Sequence, residues 1–230
     1  TRIKTMVKKN LVLIGGSSEI SLHFDSLLDK KKYNSYGITS SKIKNLSFTE
    51  VLTVNDYLED LDRILRFLED KQNLTIIFFN GFLAENRDSQ FPSTTEILDT
   101  DRINFAVPYI LADSFNRKLK NTSNYIFISS IAAASPRYKN YIYGLSKYKL
   151  EESIKNINLP SYLIIRFGKV KTKMSEGHKN PPFTISIHKA SEFILDNLNK
   201  TGYIYTNVAL KTIAVILKLL PSWMIKVLKY

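Results

Sequence analysis

Short apolar runs alternate along this chain with longer segments whose apolar residues recur at helical spacing. The short runs are expected to be β-strands, at Leu11–Ile14, Ser35–Ile38, Val51–Val54, Leu74–Phe79, Tyr125–Ile128, Tyr162–Arg166 and Tyr203–Tyr205. The longer segments are expected to be helices, at Ile20–Leu28, Tyr57–Leu68, Ile103–Phe115, Tyr141–Ile157 and Ile187–Asn199. Pro108 is expected to bend the third of these helices.

This order of elements predicts the fold class. Strands that are apolar on both faces and alternate with helices are typical of a parallel sheet covered on both sides. We therefore predict an α/β fold with a doubly wound, Rossmann-like parallel sheet of seven strands, which binds ligands at the carboxyl ends of its strands. The chain of 230 residues is long enough for one well-buried domain, expected over residues 1–206, followed by an apolar, basic helical tail over 207–230.

Composition and charge narrow the range of partners. The chain has no cysteine, which excludes disulfides and thiolate metal sites, and no His, Asp and Glu cluster suggests a metal. The net charge of +12 suits nucleic acid, an anionic membrane or a phosphorylated substrate, with compositional drift as the alternative. Because the lysines are spread out and no RNA-binding motif is present, no nucleic-acid partner is expected. The sequence shows no signal peptide and no apolar stretch that spans a bilayer, so a cytoplasmic location is expected.

The segment between the first strand and the first helix has the composition of a phosphate-binding turn. It consists of Gly15, Gly16, Ser17, Ser18, Glu19 and Ile20. Small residues let the backbone approach a pyrophosphate, and the N–H groups at a helix start favour an anion. If Gly16 is the N-cap, Glu19 is the third helical residue and can fold back onto the N–H of the cap. A glycine turn without a ligand is the alternative.

The loop after the second strand bears on the choice of dinucleotide. Ser40, Ser41 and Lys42 lie there, where an NAD site usually carries an acid for the ribose hydroxyls. Hydroxyls and an ammonium suit a 2′-phosphate better, so NADPH is expected to be preferred over NADH. A solvated polar loop is the alternative.

Three residues form a candidate catalytic set. Tyr143 and Lys147 are four residues apart, so on a helix they share a face. A carbonyl that accepts hydride must also receive a proton, and an ammonium beside a tyrosine lowers the pKa of the phenol towards the working pH. Ser130, thirteen residues before Tyr143, can hydrogen-bond the substrate oxygen. A surface Tyr–Lys pair is the alternative.

On these residues, nearly the whole chain resembles the short-chain dehydrogenase/reductase family. The resemblance implies an NAD(P)-dependent oxidoreductase that forms a homo-oligomer. The family's catalytic serine, tyrosine and lysine match Ser130, Tyr143 and Lys147, and the lysine also contacts the cofactor. Its structural asparagine, which supports a proton-relay water, matches Asn104. Further cofactor contacts are implied at Asn55, Asn80, Gly81, Val170 and Thr172.

The sequence also departs from the family's pattern. Of the three glycines in the cofactor turn only Gly15 is kept, with Glu19 and Ser21 at the other two positions. Phe167 replaces the usual proline before Gly168. These changes bear on cofactor affinity more than on the chemistry, and they leave open a binding protein without turnover.

Two segments resemble one subfamily, the decaprenylphosphoryl-2-keto-ribose reductases. They are the turn at 15–20 and the stretch at 166–177. The resemblance implies reduction of polyprenyl-phosphoryl-2-keto-ribose to the arabinose epimer for cell-envelope polysaccharide synthesis, after a flavin-dependent oxidase has made the keto-sugar. A soluble nucleotide keto-sugar is the alternative substrate. The residues that can meet a substrate phosphate after the sixth strand are Lys171, Lys173, His178 and Lys179. Solvated loop charges are the alternative for most of them.

The end of the chain is consistent with a lipid-linked substrate. Val208–Leu220 is almost wholly apolar, and residues 208–230 contain four lysines and no acid. Pro221 then breaks the helical pattern, and Trp223 follows. Such a segment suits the membrane interface, with the tryptophan at headgroup level, which would place the protein peripherally at the inner membrane face. A helix packed on the domain or in a dimer is the alternative.

Overall fold

A computed structural model describes residues 7–42, 47–84, 91–136, 140–176 and 180–220 of the chain. Within these ranges all strands belong to one parallel sheet of seven strands in the order β3-β2-β1-β4-β5-β6-β7. The strands are β1 Lys9–Ile14, β2 Tyr33–Thr39, β3 Glu50–Thr53, β4 Leu74–Phe78, β5 Thr122–Ser130, β6 Tyr162–Phe167 and β7 Gly202–Tyr205. The predicted fold class is confirmed.

Helices cover both faces of this sheet. They are α1 Glu19–Leu27, α2 Leu61–Leu68, α3 Thr94–Asp101, α4 Val107–Lys118, α5 Tyr141–Ile154, α6 Ile187–Asp196 and α7 Val208–Leu219. Successive side chains of a strand point to opposite faces, so β1 contributes to two cores. Val12 and Ile14 pack in the core with α2, α4 and α5, whereas Leu11 and Leu13 pack with α1 and α6.

The structure does not have the single helix predicted at 103–115. The chain runs through α3, a π-helical turn at Arg102–Ala106 and then α4, and Pro108 is the second residue of α4. Proline clashes with the carbonyl four residues before it, and the wider π-turn relieves that crowding. The polar helix α3 was missed, although Ser93 and Glu96 form a capping box at its start.

The sheet reverses its winding at β1, which lies between β2 and β4. In doubly wound sheets this switch point opens a crevice at the carboxyl ends of the two central strands. The turn predicted to bind phosphate follows β1, and Asn80 and Gly81 follow β4. The topology therefore places these predicted residues at one end of the sheet.

The helix α7 buries one face and exposes the other. Leu210, Ala214 and Leu217 are buried, whereas Val208 and Leu219 are 79% and 78% exposed. Among the described residues no helix has both the length and the apolar character needed to cross a membrane. The predictions for Pro221, Trp223 and the last two lysines lie outside the described residues.

Candidate active site

The turn after β1 is packed tightly between the ends of β2 and β4. The backbone N–H groups of Gly15 and Gly16 both donate to the carbonyl of Ile38, each at 3.0 Å. Gly15 has a φ of +80°, and a Cβ there would lie 2.9 Å from the backbone nitrogen of Asn80. Only glycine fits at this position, which explains why it is kept while the other glycines of the pattern are replaced.

The start of α1 corrects the predicted cap. The N-cap is Ser18 and not Gly16, because the Ser18 Oγ accepts the backbone N–H of Ser21 at 3.2 Å. Glu19 is consequently the first helical residue and does not fold back onto the cap. Its carboxylate instead accepts the backbone N–H of Lys173 at 2.6 Å. Ser17 is partly exposed in the turn, and Ile20 packs against the core under α1.

The end of β2 carries the residues expected to select the dinucleotide. Ser40, Ser41 and Lys42 are exposed there. Asn55 is exposed after β3, where its backbone N–H donates to Asp60 at 2.7 Å. The expected cofactor contact at Asn55 stays a prediction.

Tyr57 is a cleft residue that the sequence analysis missed. Its hydroxyl lies 3.5 Å from the carbonyl of Ile38, the same carbonyl that holds the β1 turn. Burial raises the pKa of Tyr57, and hydrogen bonding from Ser40 and the Gly15 backbone opposes that rise. The periodicity assigned Tyr57 to a helix, but α2 begins at Leu61 and leaves Tyr57 in the preceding turn.

The loop after β4 is held by Asn104, which lies in the π-helical turn. The Asn104 side-chain amide donates to the carbonyls of Phe82 at 2.6 Å and Thr100 at 3.0 Å, and its Oδ1 accepts the N–H of Phe82 at 3.1 Å. Its side chain therefore shapes the loop that carries Asn80 and Gly81. The Oδ1 of Asn80 is buried and has no hydrogen-bond partner among the described residues.

Tyr143 and Ser130 meet where α5 approaches the end of β5. A Cβ at Gly144 would lie 2.8 Å from the carbonyl oxygen of Ala132, so the glycine lets the helix pack closely onto this segment. Burial raises the pKa of Tyr143 to about 12, and a hydrogen bond with the Ser130 side chain opposes the rise. The expected lowering of this pKa by Lys147 is therefore not found. The Ser130 Oγ also accepts the N–H of Ala132 at 3.2 Å.

Lys147 lies one turn further along α5 and is 3% exposed. Its ammonium donates to the carbonyls of Asn80 at 3.2 Å and Ile128 at 3.1 Å. Burial lowers its pKa from 10.5 to about 8, while the negative charge of Glu151 opposes that fall. The lysine thus joins the ends of β4 and β5 and brings the loop after β4 next to the predicted catalytic residues.

The segment after β6 crosses the carboxyl edge of the sheet. Val170 forms an isolated parallel bridge with Ile185, and its carbonyl accepts the Ser175 Oγ at 2.7 Å. Thr172 follows, with its N–H bound to the same hydroxyl at 3.1 Å. The Met174 side chain would lie 3.4 Å from a Cβ at Gly81. The segment therefore covers the loop after β4.

A cavity of about 350 Å³ lies beside this segment. Its lining includes Glu19, Thr172 and the lysines Lys169, Lys171 and Lys173. Two of the four residues predicted to meet a substrate phosphate therefore share this cavity. The other two, His178 and Lys179, lie outside the described residues.

Comparison with known proteins supports the fold. No protein-family model matches the chain, and no curated protein does either. A short-chain dehydrogenase from Burkholderia cenocepacia J2315 in complex with NADP has a TM-score of 0.74 at 15% identity, covering 93% of this chain and 98% of that one. A short-chain dehydrogenase from Shigella flexneri 2a strain 301 complexed with NADP has a TM-score of 0.70 at 14% identity, covering 87% and 97%.

A third structure is similar over nearly its whole length. The ligand-free aldohexose dehydrogenase of Thermoplasma acidophilum has a TM-score of 0.65 at 12% identity, covering 88% of this chain and 94% of that one. At such low identities the likeness establishes a common fold. The chain therefore has the fold of the short-chain dehydrogenases.

Proposed function

We propose that the protein is an NADPH-dependent oxidoreductase that reduces a carbonyl, with Tyr143 as the proton donor. The observation that carries this proposal is that Ser130 hydrogen-bonds Tyr143 while Lys147, one turn along the same helix, binds the carbonyls of Asn80 and Ile128 at the edge of the sheet where the β1 turn lies. Ser130 comes from β5 and the other two residues from α5, and a surface Tyr–Lys pair would not bury its ammonium or bind it to two strand-end carbonyls.

The cleft fits a dinucleotide. The β1 turn presents backbone N–H groups and serine hydroxyls at the start of α1, and these donors suit a pyrophosphate. The buried, unpartnered Oδ1 of Asn80 is an acceptor for a ribose hydroxyl. Ser40, Ser41 and Lys42 are exposed at the end of β2, and two structural neighbours are complexed with NADP. Both observations favour NADPH.

The chain's own residues then supply the proton. NADPH, when bound, supplies hydride to the carbonyl carbon. The Ser130 hydroxyl hydrogen-bonds the carbonyl oxygen, and Tyr143 donates its phenolic proton to that oxygen as negative charge develops there. Burial raises the pKa of Tyr143 to about 12 and so disfavours the tyrosinate, and the Lys147 ammonium, one helical turn away, stabilises that anion by its charge. Asn104 keeps the β4 loop and its relay position in place.

For the substrate we propose a polyprenyl-phosphoryl-2-keto-ribose, reduced to the arabinose epimer, with a flavin-dependent oxidase as the partner that makes the keto-sugar. Besides the sequence resemblance, the cavity lined by Lys171 and Lys173 supports a phosphorylated substrate, because ammonium groups attract phosphate.

The exposed face of α7 supports a lipid-linked substrate. Its apolar residues Val208, Val215 and Leu219 are 79%, 51% and 78% exposed. Lys211 and Lys218 flank this face, and α7 has no acid. An apolar stripe edged by cations suits the interface of an anionic membrane, where each lysine adds about 1 kcal/mol.

The proposal is tested by following NADPH oxidation with a polyprenyl-phosphoryl-2-keto-pentose and, separately, with a nucleotide keto-sugar. We expect turnover with the lipid-linked substrate and a higher kcat/KM with NADPH than with NADH. Turnover of only the nucleotide sugar would retain the chemistry and overturn the lipid-linked substrate. NADPH binding without turnover of either would indicate a cofactor-binding protein without catalysis.

A further inference from the structure

A third ionisable residue lies on the face of α5 that carries Tyr143 and Lys147. Glu151 follows Lys147 by four residues, so the three side chains are stacked one turn apart. Glu151 is 1% exposed. A glutamate is rarely buried to this extent unless it is paired, and its partners are at the catalytic end of the sheet.

The Glu151 carboxylate is held by two neighbouring strands. Ser129 at the end of β5 donates to Oε1 at 2.6 Å. Arg166 in β6 donates from Nε to both carboxylate oxygens at 3.0 and 3.1 Å, and from Nη2 to Oε2. A forked guanidinium and a hydroxyl together favour the ionised carboxylate. Adjacent serines thus have different partners, since Ser129 holds Glu151 and Ser130 bonds Tyr143.

Arg166 is fixed in turn by β7. It is 5% exposed, its Nη1 donates to the Tyr205 hydroxyl at 2.5 Å, and its guanidinium lies 5.0 Å from the centre of the Tyr203 ring. The position of the Glu151 carboxylate is therefore set by three strands as well as by its own helix.

The buried charged groups around Lys147 add up to one positive charge before proton transfer. On α5 it is flanked by Tyr143 and Glu151, and β4 and β5 face it with the carbonyls of Asn80 and Ile128. Arg166 from β6 and the β7 tyrosines lie beyond the carboxylate. With a neutral phenol, the two cations and one carboxylate leave one positive charge, and formation of the tyrosinate neutralises it.

We propose that Glu151 is a positioning residue of the proton-transfer site, whose buried carboxylate, clamped by Arg166 and Ser129, keeps the Lys147 ammonium charged beside Tyr143. Burial alone disfavours that ammonium, and the Glu151 charge opposes the effect. The role rests on the proposed reduction, because it serves a proton donor, but the charge on Lys147 can be measured without turnover.

The test is a pH titration of Lys147 by NMR in protein with carbon-13-labelled lysine, its signal assigned by its loss in Lys147→Arg. Removing the Glu151 charge makes proton loss easier from every neighbouring group. The apparent pKa must therefore fall, even if Lys147 and Tyr143 titrate as a coupled pair. We expect the apparent pKa to fall by about one pH unit in Glu151→Gln. The control is Glu152→Gln, the same change at a 43% exposed side chain paired with Lys155, and no shift is expected there.

Two further variants keep the test decisive. Glu151→Gln leaves the Arg166 guanidinium buried without its carboxylate and can fail to fold. The double variant Glu151→Gln/Arg166→Gln removes both charges and is expected to shift Lys147 in the same direction, because the charge that acts on its pKa is that of Glu151. Glu151→Asp keeps the negative charge, so the apparent pKa of Lys147 is expected to stay close to its wild-type value.

An unchanged Lys147 titration in a folded Glu151→Gln or double variant would overturn the role of Glu151. In turnover, the basic limb of kcat/KM for NADPH is expected to move to lower pH by the same amount. Absence of any turnover with an intact titration shift would count against the proposed function and leave this charge coupling standing.

Discussion

The carboxylate of Glu19 accepts the backbone N–H of Lys173 at 2.6 Å, and this hydrogen bond joins the start of α1 to the segment after β6. It explains how an acid fits in the turn proposed to bind the pyrophosphate, since the Glu19 side chain is turned towards that segment. The negative charge nevertheless remains near the position proposed for the pyrophosphate.

Replacing Glu19 by glutamine is expected to tighten NADPH binding. The amide keeps an acceptor for the Lys173 N–H but removes the charge that repels the pyrophosphate. We expect Kd to fall about fivefold, on the order of 1 kcal/mol, with a smaller gain at high salt. Calorimetric titration with NADPH measures this, with Glu192→Gln on α6 as the control. Unchanged or weaker binding in Glu19→Gln would mean that the hydrogen bond to the Lys173 N–H, and not the charge of Glu19, governs the affinity for NADPH.

Lys147 predicts the pH dependence of activity. Its pKa is lowered by burial from 10.5 to about 8, and only the ammonium stabilises the tyrosinate. The kcat/KM for NADPH is therefore expected to decrease as the pH rises through about 8. A plateau that extends to pH values near the ordinary lysine pKa would contradict this assignment.

The same shift predicts how stability changes with pH. Between about 8 and 10.5 the unfolded chain holds a proton on Lys147 that the folded chain has lost. The unfolded state binds more protons there, so this residue makes the free energy of unfolding rise with pH across that window. Urea unfolding of wild type and Lys147→Met isolates the contribution. Parallel pH dependences of the two proteins would show that the ammonium is not destabilised in the fold.

Gly144 is expected to tolerate no side chain. A Cβ there would lie 2.8 Å from the Ala132 carbonyl oxygen, which is backbone and cannot move aside. The overpacking outweighs the gain of about 1 kcal/mol that alanine has over glycine in a helix, for a net loss of about 1–2 kcal/mol in Gly144→Ala. Gly81→Ala is the control, because the nearest atom to its Cβ would be the flexible end of Met174 at 3.4 Å, with the Asn104 Oδ1 at an ordinary contact distance of 3.9 Å. Equal unfolding midpoints in urea would contradict the close packing.

The α7 face predicts binding to anionic vesicles. Reversing two charges in Lys211→Glu/Lys218→Glu is expected to reduce the partition coefficient by more than tenfold, since each lysine contributes about 1 kcal/mol near an anionic surface. Lys31→Glu/Lys120→Glu makes the same change in net charge at exposed lysines away from α7. Co-sedimentation with vesicles of phosphatidylcholine and phosphatidylglycerol compares them. An equal loss in both variants would point to net charge rather than a docking face.

The sequence predicted the sheet well because buried strands have an unmistakable pattern. Leu11 to Ile14 are at most 1% exposed, and their continuous apolarity distinguishes them from an amphipathic helix. The relative placement of Tyr143 and Lys147 was also predictable, since residues four apart share a face of a helix and both lie in α5.

Contacts between distant elements could not be predicted in this way. The Glu19 contact with Lys173 spans 154 residues, and no local pattern shows where a carboxylate turns. Tyr57 was assigned to a helix because its spacing fits one, although tertiary packing starts α2 four residues later. Glu151 had a visible signal, the repeated spacing of four after Lys147, but its partner Arg166 becomes apparent only when β6 lies beside β5.

The central claim is that hydride passes from NADPH to a carbonyl while Tyr143 supplies the proton. It is tested most directly with NADPH that carries deuterium at both C4 positions of the nicotinamide and a polyprenyl-phosphoryl-2-keto-pentose, with mass analysis of the released sugar. We predict one deuterium on the product carbinol carbon with the wild type, and a rate lowered by about 10²–10⁴ in Tyr143→Phe but not in Tyr148→Phe on the exposed side of α5. Product without deuterium, or equal rates for the wild type and Tyr143→Phe, would contradict the account.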